Sequence, residues 1–105
     1  MNTPLALDTA RGSDGKLVLV AAGEIDLSNI EAFTLALSTA ATGSDGALLV
    51  DLSAVEYLDS AAINALATHA DHIELVAHPI LMPVLKVSGL TELTAIVPAP
   101  AAGQQ

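Results

Sequence analysis

Apolar positions along the chain recur with two periods, and punctuation by turn residues separates them. "KLVLVAAG" (16–23) is dense in β-branched and apolar residues and reads as a strand. The preceding "PLALDTA" (4–10) reads as a first strand, and "RGSDG" (11–15) between them is a turn, which makes a β-hairpin. "GEIDLSN" then interrupts the run. In "IEAFTLALSTAAT" (30–42), Ile30, Phe33, Leu37 and Ala40 approximate helical spacing, with Ser28 or Asp26 expected as the cap and "GSDG" as the stop.

"ALLVDL" (47–52) is a short continuous apolar run, as expected of a strand buried on both faces, and "SAVEYL" follows as a loop. Strand, helix, strand in this order implies a right-handed parallel crossover, so the sheet is mixed. A second helix is expected from about Ser60, with Ile63, Leu66 and Ala67 on one side and Asn64, Thr68 and Asp71 on the other. "IELVA" reads as another strand. "HPILMPVLKVSGL" reads as a helix that holds Pro83 in its first turn and stops at Ser88-Gly89, and "TAIV" supplies a last strand. The result is one α/β domain over 1–105, with a core of about 5–97, a mixed sheet of four to five strands and helices mainly on one face. "PAPAAGQQ" (98–105) has the composition of a frayed tail or an appended remnant.

Composition narrows the function. The 105 residues are 52% hydrophobic but include one Phe, one Tyr and no Trp, so the core is aliphatic and stacking on bases is not expected. Three Lys and Arg against 12 Asp and Glu give a net charge of −9, which repels nucleic acid and anionic membranes and favours a basic protein surface. The absence of cysteine excludes disulfides, thiolate catalysis and cysteine metal sites. No stretch is long enough for membrane insertion, so a cytoplasmic location is the expectation.

Chemical candidates are few. His69 and His72 lie three apart, a spacing at which two imidazoles on one helix face share a metal, and His78 follows a strand. A closed site requires further ligands and Asp71 falls on another face, so no metal centre and no cofactor are expected. Ser60, followed by two alanines, lacks a nucleophile elbow, and the seven glycines are scattered through turns, so the chain does not read as an enzyme. Asp51 reads as a turn or solvent-facing residue. Asp59-Ser60 sits where a helix begins, and either residue serves as a cap worth about 1 kcal/mol.

"GEID" after a strand, "LLVDLSAVEYLDS" and "VSGL" near the end occur in an order that resembles the STAS-domain, anti-sigma factor antagonist family over roughly residues 5 to 97. The resemblance implies a bacterial regulator of transcription. An anti-sigma factor acting as a serine kinase would phosphorylate Ser60, and a phosphatase would reverse it. By the same resemblance the partner-binding residues are Glu24, Asp26, Ser28, Asp59, Ala61, Ala62 and Ile63. The family's Asp-Ser-Ser/Thr-Gly becomes Asp59-Ser60-Ala61-Ala62, which adds a methyl group where a partner would approach. The stretch between Asp59 and Gly89 is shorter than the family pattern by about eight residues, on the order of two helical turns. These departures fit an alternative, a non-phosphorylated adaptor subunit of a lipid-transport ABC or sensory multiprotein complex.

A phosphate at Ser60 would lie near unpaired helix N–H groups and add roughly −1.5 to −2 charge beside Asp59. About 1.4 kcal/mol of repulsion already weakens a partner tenfold.

Overall fold

The computed structural model describes residues 4–12, 14–44 and 46–99. Its strands are β1 (Ala6–Arg11), β2 (Leu17–Ile25), β3 (Leu48–Leu58), β4 (Ile73–Ala77) and β5 (Ala95–Pro98), and its α-helices are α1 (Ile30–Thr42), α2 (Ser60–Thr68) and α3 (Met82–Val87). They form one five-stranded sheet in the order β1-β2-β3-β4-β5. β1 and β2 pair antiparallel, whereas β2-β3, β3-β4 and β4-β5 pair parallel, so the expected hairpin and mixed sheet are both present.

Alternation decides which face is covered. In β2, Leu19, Ala21 and Ile25 are fully buried, and in β3 and β4 the same side carries Leu48, Val50, Leu52 and Leu75. These join Phe33 and Leu37 of α1, Ala62 and Leu66 of α2, and Leu81, Leu85 and Leu90 around α3 in one cluster. Each of the buried Leu, Ile, Val and Phe side chains contributes about 1.5–3 kcal/mol by leaving water. The helices therefore lie over one face of the sheet. On the other parity, from Val18 through Leu49 to Val76, no described side chain is buried.

β3 departs from the expected strand and loop. It runs 11 residues, through "SAVEYL" to Leu58. Its pairing with β2 shifts register twice, between Val20 and Ala22 and between Gly23 and Glu24. Each shift is a bulge that gives β3 one extra residue, so Leu52, Val55 and Leu58 all reach the core although they are spaced by three. Gly23, at the second bulge, has φ 103°, a conformation that a side chain disfavours. The strand is also not buried on both faces, since Leu49 and Asp51 are only half-buried.

α2 is shorter than expected and stops at Thr68, followed by a 3-10 turn over Ala70–His72. His69 therefore stands at the end of α2 and His72 in the 3-10 turn after it, so the two are not on one α-helix as expected. His69 approaches Ser38 on α1 instead, with Nε2 3.5 Å from Oγ. Pro83 sits in the first turn of α3, where its missing N–H removes no helical bond, and a 3-10 turn over Pro79–Leu81 leads into that helix. Gly89 ends the segment with φ 84°. Of the predicted tail, Pro98 belongs to β5 and the buried Ala99 donates its N–H to the Ala77 carbonyl at 2.8 Å, so both are bound to the sheet. Residues 100–105 lie outside the described residues.

Candidate functional site

Two segments leave the same end of the sheet side by side. The last pairs between β2 and β3 are Glu24 with Tyr57 and Ile25 with Leu58. One residue further, the Asp59 N–H donates to the Ile25 carbonyl at 3.2 Å. The loop after β2 and the start of α2, which carry the residues expected to bind a partner, are thereby tied together.

Asp59 takes the cap. Its backbone is extended, and its Oδ1 accepts the Ala62 N–H at 3.1 Å while α2 begins at Ser60. This satisfies one of the N–H groups that a helix start leaves unpaired. Ser60 is exposed, and among the described residues none bonds to its hydroxyl. The two capping alternatives left open by the sequence thus separate: the carboxylate has a structural task, and the neighbouring hydroxyl projects to solvent at the positive end of the helix.

In the adjacent loop neither Asp26 nor Ser28 caps α1. Asp26 Oδ1 instead accepts from the Ser28 N–H at 2.9 Å and the Ser28 hydroxyl at 2.5 Å, closing a turn on itself. Asn29 occupies the cap position of α1, but its side chain reaches backwards. Its Oδ1 accepts the Asp26 N–H and its Nδ2 donates to the Glu24 carbonyl, both at 2.9 Å. Asn29 was not singled out by the sequence reading, because its task is to fix backbone groups and leaves no charge pattern.

The remaining candidates divide by direction. Ile63 and Ala61 are half-buried on α2. Ala62 is 0% exposed, its methyl in the core, so it offers a partner no side-chain surface, contrary to expectation. The same orientation means that alanine in place of glycine adds no bulk outside. Glu24 belongs to the sheet parity opposite the helices and lies at the rim of the site. The structure adds Leu27, which is 77% exposed between Asp26 and Ser28. An apolar residue inside a polar turn is its only sequence signal.

A cleft lined by Arg11, Asp14, Lys16 and Ser44 lies beside the starts of β2 and β3, at the far end of the sheet from Ser60. Among the described residues no group of three His, Asp or Glu could hold a metal, and no helix is long and apolar enough to cross a membrane.

A family model described as "Mlab, STAS domain" matches residues 9–98. Among solved structures the chain is similar to an anti-sigma factor antagonist from Mycobacterium paratuberculosis, at 27% identity and a TM-score of 0.82, covering 91% of this chain and 87% of that one. It is also similar in fold to the anti-sigma factor antagonist SpoIIAA in its unphosphorylated form, at 19% identity and a TM-score of 0.64, with 90% and 89% covered. The phosphorylated form of SpoIIAA, a Bacillus cell fate determinant, is similar at 20% identity and a TM-score of 0.58, with 90% and 92% covered. No curated protein matches the chain in sequence. With the matched segment running from the first hairpin to the last strand, the chain belongs to the STAS-domain family.

Proposed function

We propose that this protein is an anti-sigma factor antagonist that docks on an anti-sigma factor through the mouth of α2 and the adjoining Glu24–Ser28 loop, and that phosphorylation of Ser60 releases it. The observation that carries this reading is the division of labour between Asp59, which caps α2, and Ser60, which is exposed beside it. The similarity to solved anti-sigma factor antagonists supports the general role.

The protein is a cytoplasmic binding module, and the chemistry is its partner's. A serine kinase, the anti-sigma factor itself, brings ATP and transfers the γ-phosphoryl group to Ser60 Oγ, whose proton is lost as the bond to the β-phosphate breaks and ADP leaves. A phosphatase restores the hydroxyl by hydrolysis. The dianion then stands beside the Asp59 carboxylate and next to the Asp26 turn, so a partner surface shaped for the hydroxyl meets added charge and must desolvate it. The Ala62 methyl, turned into the core, leaves the outer surface around Ser60 unobstructed.

The test mixes the purified protein with the candidate anti-sigma kinase and ATP and maps phosphate by mass spectrometry. Modification at Ser60, with loss of the complex on modification, is the expected result. A stable complex that carries no phosphate at Ser60 would overturn the switch and leave an adaptor role.

A further inference from the structure

The face of the sheet away from the helices carries a row of residues paired across all five strands: Asp8, Val20, Asp51, Val76 and Val97. The next row includes Val18, Leu49 and Glu74. Val97 is 58% exposed, and none of the described side chains on this parity is buried. A five-stranded sheet of this kind is about 20 Å wide, wide enough to seat a helix.

Asp51 decides what could sit there. It lies on the central strand, flanked by Val20 and Val76 on the neighbouring strands. Its Oδ1 accepts from the Ser53 N–H at 2.9 Å and the Ser53 hydroxyl at 2.6 Å, while no described residue bonds its Oδ2. An apolar partner would strip water from this carboxylate without replacing the lost hydrogen bonds. A second copy of the chain fares worse: the face holds the carboxylates of Asp8, Glu24, Asp51 and Glu74 against the ammonium of Lys16, which already pairs with Glu74 at 3.5 Å. Two such faces would bring like charges together. An anionic lipid surface is repelled by the same groups and by the net charge of −9.

We propose that this open sheet face is a second docking surface, for a protein partner that presents an arginine or lysine within an apolar patch. The cation meets Asp51, and the surrounding apolar side chains cover the valines and Leu49. α2 packs against the opposite face, so the row from Asp8 to Val97 does not include Ser60, and Glu24, at the rim, adjoins both surfaces.

The probe is an amphipathic helical peptide of about 14 residues, enough at about 1.5 Å per residue to cross the sheet, with one arginine in the middle of its leucine face. It is titrated into the isotopically labelled protein and followed by NMR, beside a control peptide with glutamate at that place. Expected are amide shifts at Val20, Asp51 and Val76 with the arginine peptide alone. Asp51→Asn keeps the acceptor for Ser53 but loses the charge and should weaken binding at least tenfold, as should Val76→Lys. Ser60→Asp should leave it unchanged, which separates this surface from the proposed phosphoswitch. Equal binding of both peptides, insensitivity to Asp51→Asn, or shifts confined to residues around Ser60 would overturn the proposal. So would self-association through this face in sedimentation, or binding to phosphatidylglycerol vesicles in place of the peptide.

Discussion

Asp59 is hydrogen-bonded to Ile25 through its backbone N–H at 3.2 Å while its side chain holds the Ala62 N–H at 3.1 Å. One residue thus joins the end of β2 to the start of α2. Replacing it by alanine removes only the side-chain bond, so Asp59→Ala should lower stability by about 1 kcal/mol, while Asp59→Asn, also a good cap, should cost a few tenths. Ser60→Ala touches neither bond and should change stability by less than about 0.5 kcal/mol. Urea unfolding of the three variants gives the comparison, and a loss at Ser60→Ala as large as at Asp59→Ala would mean that the hydroxyl shares the capping task.

Most of the fold was legible because its elements keep one period throughout. β2 was legible as a dense apolar run to Gly23, although it continues through Glu24 to Ile25 where an interruption was expected, and α1 presents Phe33, Leu37 and Ala40 at helical spacing. β3 was not legible beyond Leu52, because two bulges change its apolar spacing from two to three, and Leu52-Val55-Leu58 alone resembles a helical pattern. The pairing partner that reveals a bulge is distant in sequence. Neither the tie between the end of β2 and the start of α2, made by the Asp59 N–H and the Ile25 carbonyl, nor the direction of each side chain was readable, because both depend on pairing between segments distant in sequence. Ala62 turned out to face the core, and Asp26 to close a turn with Ser28 where a helix cap was expected.

Leu27 has no core role to lose, since it is 77% exposed. Truncation to alanine should leave the unfolding midpoint within about 0.5 kcal/mol of the parent. A side chain at the centre of an interface can cost about 1 kcal/mol or more on truncation, so if Leu27 lies there the same variant should weaken the proposed anti-sigma factor complex about fivefold or more. Calorimetric titration measures it, and an unchanged Kd would place Leu27 outside the contact.

Gly23 occupies φ 103° at the bulge that aims Glu24 and the following turn. A side chain in this region costs about 1–3 kcal/mol. Gly23→Ala should therefore lower the unfolding midpoint markedly, by about 4 °C for each kcal/mol in a domain of this size. The loss should exceed that of Gly43→Ala, where φ is −83° and a Cβ would meet only ordinary contacts, the nearest at 3.6 Å. Equal midpoints for the two variants would show that the bulge relaxes without strain.

If phosphorylation acts by altering a docking surface, the fold itself should hardly respond. Negative charge at the first position of α2 is favoured by the helix dipole at about 0.3–1 kcal/mol and opposed by the neighbouring Asp59 carboxylate, so the two effects largely offset. Ser60→Glu should accordingly keep its thermal midpoint within a few degrees of the parent, while its affinity for the anti-sigma factor falls at least tenfold. That loss should shrink as salt is raised from low to physiological ionic strength, because screening acts most on exposed charges. A melting point that drops in step with affinity would point to local unfolding of α2, and an affinity loss indifferent to salt would point to steric exclusion in place of charge.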